Sequence, residues 1–243
     1  WGFVARGGVR KPGENRTTYS GQRSLYRNDQ GVATIFSGKN TPAGVTAELR
    51  TVARLVIINS GPGGLNFNWC QSCDYCVPRI AESKPKEHER PHSTDKKCKQ
   101  TFREHIDLGH SFETDIVHVT IDLSSGPLSS SDVGQEVAYA LLEGAAEGLQ
   151  IAHEDIDVIL LPSPPKSLKL ALVDAVPAGA GYAKLIAENL GKVFDSAFER
   201  VSRCECGPET SCYKCLRSYR NQRDHDALER GKAFDALKLV LKK

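Results

Sequence analysis

Eight cysteines fall into two tight groups, Cys70, Cys73, Cys76 and Cys98, then Cys204, Cys206, Cys212 and Cys215. In the second group, Cys204-Glu-Cys206 and Cys212-Tyr-Lys-Cys215 flank a gap holding Gly207, Pro208 and Ser211. Such a loop can bring four thiolates to the tetrahedral positions around Zn(II). Disulfides fit less well: C-x-C and C-x-x-C bridges are strained, and no charged segment with a following apolar stretch opens the chain to mark export. The first group has more candidates than places. Cys70 and Cys73 can pair with Cys98 and His92, leaving Cys76 spare, or Cys70, Cys73, Cys76 and Cys98 can form the set, so two zinc ions are expected.

The 243 residues suffice for a large buried core, and no apolar run approaches a membrane span. Trp1 comes first and methionine is absent, so the segment reads as a piece of a longer protein. A net charge of +2 hides asymmetry. Residues 1–54 hold nine basic and three acidic residues, residues 107–157 hold eleven acidic and none basic, and residues 200–223 hold six basic and two acidic. A basic face for phosphates is compatible with that division.

Strands are expected at 32–36, 51–58, 112–121, 156–161 and 168–173, from their β-branched content and bounding turns. Val133, Val137, Leu141, Ala145 and Leu149 mark a helix to about Gln150, with Asp132 and Gln135 at its start. One long helix face runs from Tyr182 through Ile186, Leu190, Val193 and Ala197 to Val201, and delivers Cys204. Asp224 is read as opening the last helix. The expected fold is α+β or α/β: a mixed sheet flanked by helices, with two zinc knuckles. A β-rich part, 1–125, would carry the first zinc loop at about 66–100, and an α/β part, 126–243, the second.

Asp174-Ala-Val-Pro177-Ala-Gly179-Ala-Gly181-Tyr182 ends a strand and opens a helix, a turn whose glycines permit positive φ. Together with CECGPETSCYKCLRSYRNQRDHDALERG from Cys204, it resembles the zinc-binding C-terminal domain of MrfA-type DNA repair helicases and of DrmB, the helicase partner in the DISARM antiphage system. The resemblance extends upstream through Phe67-x-x-Cys70-x-x-Cys73, His92, Cys98 and Leu108-Gly-His110-x-Phe112-x-Thr114-Asp115. Ala178 and Asp74 stand where that family has glycine, and Cys76 is additional.

The resemblance implies an accessory zinc module, in the cytoplasm, that supports the DNA path of a helicase. Its partners would be single-stranded or duplex DNA and either its own parent chain or a helicase subunit, with no membrane. There is no GxxxxGK[ST] motif, hence no nucleotide site of that type to power translocation. Arg217, Arg220 and Arg223, with Tyr213 and Tyr219 interleaved, can meet phosphates and unpaired bases, or else hold the knuckle to carboxylates such as Asp174. Rival readings are a protein-protein assembly module of a defence complex and a hydrolase centred on Asp174, His225 and Asp115. The second lacks a nucleophile-base pair.

Overall fold

The computed structural model describes residues 21–28, 32–36, 40–62, 66–79, 87–91, 93–100, 103–176 and 178–243. In chain order the elements are β1 (Gly21–Asn28), β2 (Val32–Phe36), β3 (Val45–Pro62), β4 (Phe67–Trp69), β5 (Cys76–Pro78), β6 (His88–Arg90), β7 (Ser93–Cys98), β8 (Arg103–Ile106) and β9 (Leu108–Asp122). There follow α1 (Ser130–Leu149), β10 (Ile156–Leu161), β11 (Ser167–Asp174), α2 (Tyr182–Glu188), α3 (Leu190–Arg203), a 3₁₀ turn (Tyr219–Asp224) and α4 (Arg230–Leu241). Among the described residues no helix is long and apolar enough to cross a membrane.

Two compact units emerge. One holds the described residues before Asn28 together with Leu55–Ser111; the other holds Asn28–Arg54 and Phe112–Lys243. The expected boundary near residue 125 falls in the turn between β9 and α1, inside the second unit.

In the second unit the sheet order is β3-β9-β11-β10, with β2 beside β3. The β2/β3, β9/β11 and β10/β11 pairs are antiparallel, the last two in register from Ser167↔Asp122 to Val173↔Ile116 and from Ile156↔Asp174 to Leu161↔Lys169. A direct β10–β11 connection replaces the crossover helix that parallel strands would need, which resolves the α+β or α/β alternative toward α+β. Because strand side chains alternate, Val117, Val119 and Ile121 of β9 and Leu168, Leu170 and Leu172 of β11 enter one core with the helices.

Val133, Val137 and Leu141 of α1 are buried in that core, as their spacing predicts. Gly144 lets α1 and α3 approach closely: a Cβ there would lie 2.6 Å from the Val193 carbonyl oxygen. The expected single helix from Tyr182 to Val201 is broken at Asn189 (φ −125°, ψ 30°), whose Nδ2 donates to the Leu185 carbonyl at 2.8 Å. That side chain offers the backbone an alternative to the helical ladder. Ile186, Leu190, Val193, Ala197 and Val201 are buried nonetheless.

The last helix begins at Arg230 rather than Asp224. Asn221 accepts the Ser218 N–H at 2.8 Å and donates to the Leu216 carbonyl at 2.9 Å, holding the 3₁₀ turn instead.

The first unit contains a three-stranded sheet, β5-β4-β8, and the hairpin β6-β7. The hairpin occupies part of the polar stretch 82–97 and sets His88 opposite Cys98.

Candidate metal centres

Helix α3 stops at Cys204, where the backbone turns extended (φ −74°, ψ 129°). From there the chain folds the four cysteines together. Sulfur separations are 3.4 Å for Cys204–Cys206 and Cys204–Cys212, 3.6 Å for Cys206–Cys215 and 3.9 Å for Cys212–Cys215. Tetrahedral zinc with Zn–S arms of about 2.3 Å requires sulfur–sulfur edges of about 3.8 Å, so the set is close to a zinc tetrahedron. Backbone N–H groups of Cys212 and Lys214 point at the Cys215 and Cys212 sulfurs, at 3.2 and 3.3 Å.

Burial pushes the Cys206 and Cys215 thiols up. For Cys204 burial acts the same way, but the Cys206 N–H and the neighbouring sulfurs outweigh it and bring the thiol down to about 7. Metal binding therefore has one thiol ready to ionise and must displace protons from others, which makes it pH-dependent. Four protein ligands close the coordination sphere, the pattern of a structural zinc site.

The second centre joins Cys70, Cys73, His88 and Cys98, whose ligand atoms all lie within 4.8 Å of one another. Cys70 and Cys98 sulfurs are 3.8 Å apart, and Cys73 Sγ lies 3.1 Å from His88 Nε2. A tight turn builds the first half: the Cys70 N–H donates to the Tyr75 carbonyl and the Asp74 N–H to the Cys70 carbonyl, both at 2.8 Å. Asp74 takes φ 58°, the left-handed conformation that favours glycine.

Register on β6-β7 supplies the second half, and the Tyr75 ring stacks on His88 at 5.0 Å. The Gln100 N–H leads in lowering the Cys98 thiol, against burial and with help from Arg90. Cys73 is raised, chiefly by burial. Three thiols and an imidazole are a zinc donor set.

Of the two ligand sets expected from sequence, both shared Cys70, Cys73 and Cys98, and the structure brings these three together. Cys76 instead sits on β5 opposite Trp69, outside the cluster. His92 lies outside the described residues. His88 was not among the expected ligands, and Pro91 at the hairpin turn is the one cue to the register that brings it to Cys98.

Asp174 is fully buried. Its Oδ2 accepts the N–H groups of Ala180, Gly181 and Tyr182 at 2.7, 2.9 and 3.2 Å, and Oδ1 that of Ala183 at 2.6 Å. The helix start thus carries its own anion. Gly179 and Gly181 have φ of 73° and 83°, and Ala178 has φ 72°; Pro177 lies outside the described residues. With its oxygens accepting four backbone N–H groups, Asp174 orders the turn. His225 Nε2 meets Ser218 O and Asn221 Oδ1 at 3.1 and 2.9 Å, and Asp115 Oδ1 accepts the Val52 N–H at 3.0 Å.

Arg217 bonds Ser211 and the His225 carbonyl; Arg220 bonds the His153 and Ile156 carbonyls and Asp157. Neither reaches Asp174, and the Arg223 side chain lies outside what the structure describes. Tyr213 is 58% exposed and Tyr219 83%.

Residues 137–216 match the family described as the MrfA Zn-binding domain, a span containing Cys204, Cys206, Cys212 and Cys215 but not the first centre. Over 217 residues the chain is 29% identical to the Druantia protein DruE of Escherichia coli (strain UMEA 4076-1), covering 77% of this chain and 12% of that protein. Among solved structures, a crystal structure of the DUF1998 helicase MrfA bound to DNA matches with a TM-score of 0.49 at 10% identity, over 93% of this chain and 26% of MrfA. A second crystal structure of that helicase gives a TM-score of 0.41 at 10% identity, over 89% of this chain and 24% of MrfA.

Proposed function

We propose that this segment is the zinc-binding accessory part of a DNA helicase or of a helicase-associated protein, acting in the cytoplasm to support DNA binding in repair or antiphage defence. The observation that carries this reading is the coincidence of the MrfA Zn-binding match with the four-sulfur knuckle. Both ions serve as cross-links: each centre is closed by side chains and ties segments that a small local core would not fix.

Contact with DNA is assigned to the exposed side chains of the knuckle, Tyr213 and Tyr219 for unpaired bases and Lys214 for phosphates, with Arg223, from its place in the sequence, as a further phosphate contact. Arg217 and Arg220 support the knuckle, because their guanidinium groups are engaged with Ser211, backbone carbonyls and Asp157.

Fluorescence anisotropy of the zinc-loaded chain on single-stranded and duplex oligonucleotides tests the reading. Sequence-independent binding that weakens steeply with salt is expected, with a loss of about 1–3 kcal/mol per stacked base when Tyr213 or Tyr219 becomes alanine. A fully zinc-loaded chain with no affinity for either form would overturn it and favour a protein-assembly role.

A further inference from the structure

Two arginines at the knuckle form no ion pair with any described acid. Arg217 donates from Nε to the Ser211 hydroxyl at 3.0 Å and from Nη2 to the His225 carbonyl at 3.1 Å. Arg230 donates from Nε to the carbonyl of the ligand residue Cys206 at 3.0 Å and from Nη1 to the Val201 carbonyl at 2.8 Å. All four acceptors are neutral, and among the described residues neither guanidinium forms an ion pair with a carboxylate.

Their neighbours differ. Arg200 also reaches the knuckle, donating to the Cys215 carbonyl at 3.0 Å, but Glu143 and Glu147 lie 2.9 and 3.0 Å from it. Arg203 pairs with Glu199 and Arg220 with Asp157, both at 3.1 Å. Arg217 and Arg230 are only partly exposed, and withdrawing a cation from water without a counter-charge is costly. A zinc ion held by four thiolates carries two excess negative charges, and two unpaired guanidinium groups grip the loop that holds them.

We propose that Arg217 and Arg230 are positioning residues of the knuckle, matching the two excess negative charges of its zinc-loaded form and thereby setting how firmly the ion is held and how reactive its sulfurs are. Partners outside the ligand shell of a metal change its affinity by about 10–100-fold when removed. The inference needs the zinc centre alone and is independent of any DNA contact.

Zinc transfer from the full 243-residue chain to an excess of chromogenic chelator, followed beside alkylation by iodoacetamide, reads both effects. With Arg230→Gln, one of the two ions is expected to leave about tenfold faster, with faster alkylation of its cysteines and the other ion unchanged. Arg230→Lys keeps the charge and should restore both rates to near the original. Arg220→Gln, a charge already paired on Asp157, should change neither.

Wild-type rates in Arg230→Gln would overturn the proposal, and so would equal impairment of the lysine and glutamine variants, which a purely geometric role of the two hydrogen bonds requires. Should Arg230→Gln fail to fold, Arg217→Gln set against Arg217→Lys makes the same comparison without touching a bond to a ligand residue.

Discussion

At the scale of single residues, the turn after β11 shows how one side chain organises many backbone groups. Four N–H donors converge on Asp174. Asp174→Asn keeps the shape but turns an amide toward donors, and is expected to lower stability by about 2–3 kcal/mol in chemical denaturation. Ala178 makes the opposite case. It holds φ 72° on an exposed turn, a conformation that costs a residue with a Cβ about 1–2 kcal/mol. Glycine adds unfolded-state entropy of about 0.4–1 kcal/mol, so Ala178→Gly should stabilise the chain by roughly 0.5–1 kcal/mol, visible as a higher denaturation midpoint.

Glu136 of α1 is buried, and burial is the main reason its carboxyl lies above the ordinary value. A raised folded-state pKa gives stability that is full below the unfolded value and lost as pH rises through the folded one. Glu136→Gln should therefore be favoured relative to the parent at neutral pH, and its advantage should shrink as the pH falls through the raised folded value toward the ordinary glutamate range; a pH-independent difference in melting would contradict this.

At the scale of elements, periodicity was legible wherever one face is buried. Val133, Val137 and Leu141 on α1, and Leu168, Leu170 and Leu172 on β11, announce their elements because water excludes them together. Polar side chains that bond the backbone left no such trace. Asn189 breaks a helix whose apolar stripe runs on unbroken, and Asn221 holds a 3₁₀ turn where a helix start was expected. The β6-β7 hairpin is polar, so no alternation reveals the register that makes His88 a ligand, whereas cysteine spacing alone exposed the later knuckle.

Helix α4 leans on that knuckle: the Arg230 and Gly231 N–H groups donate to the Thr210 and Pro208 carbonyls, both at 2.8 Å. Structural zinc supplies on the order of 10 kcal/mol of apparent binding energy in small sites. Chelation should consequently abolish amide-exchange protection at Arg230 and Gly231 while β9 residues such as Val119 stay protected. Unchanged protection at the start of α4 would separate the helix from the metal.

At the scale of the whole molecule, each compact unit carries one four-ligand cluster, so loss of metal is expected to unfold the first unit around its cluster and, in the second, to loosen the knuckle and the start of α4 while the β9 core holds. Charge is likewise divided along the chain, with the basic stretch 200–223 at the knuckle and the acidic stretch 107–157 running through β9 and α1. Everything in this picture depends on both centres holding metal. Native mass spectrometry of the full chain, purified without added zinc, counts the ions directly: two per chain are expected, falling to one in His88→Ala and to one in Cys212→Ser, whereas a parent chain carrying one ion or none would contradict the two-centre structure.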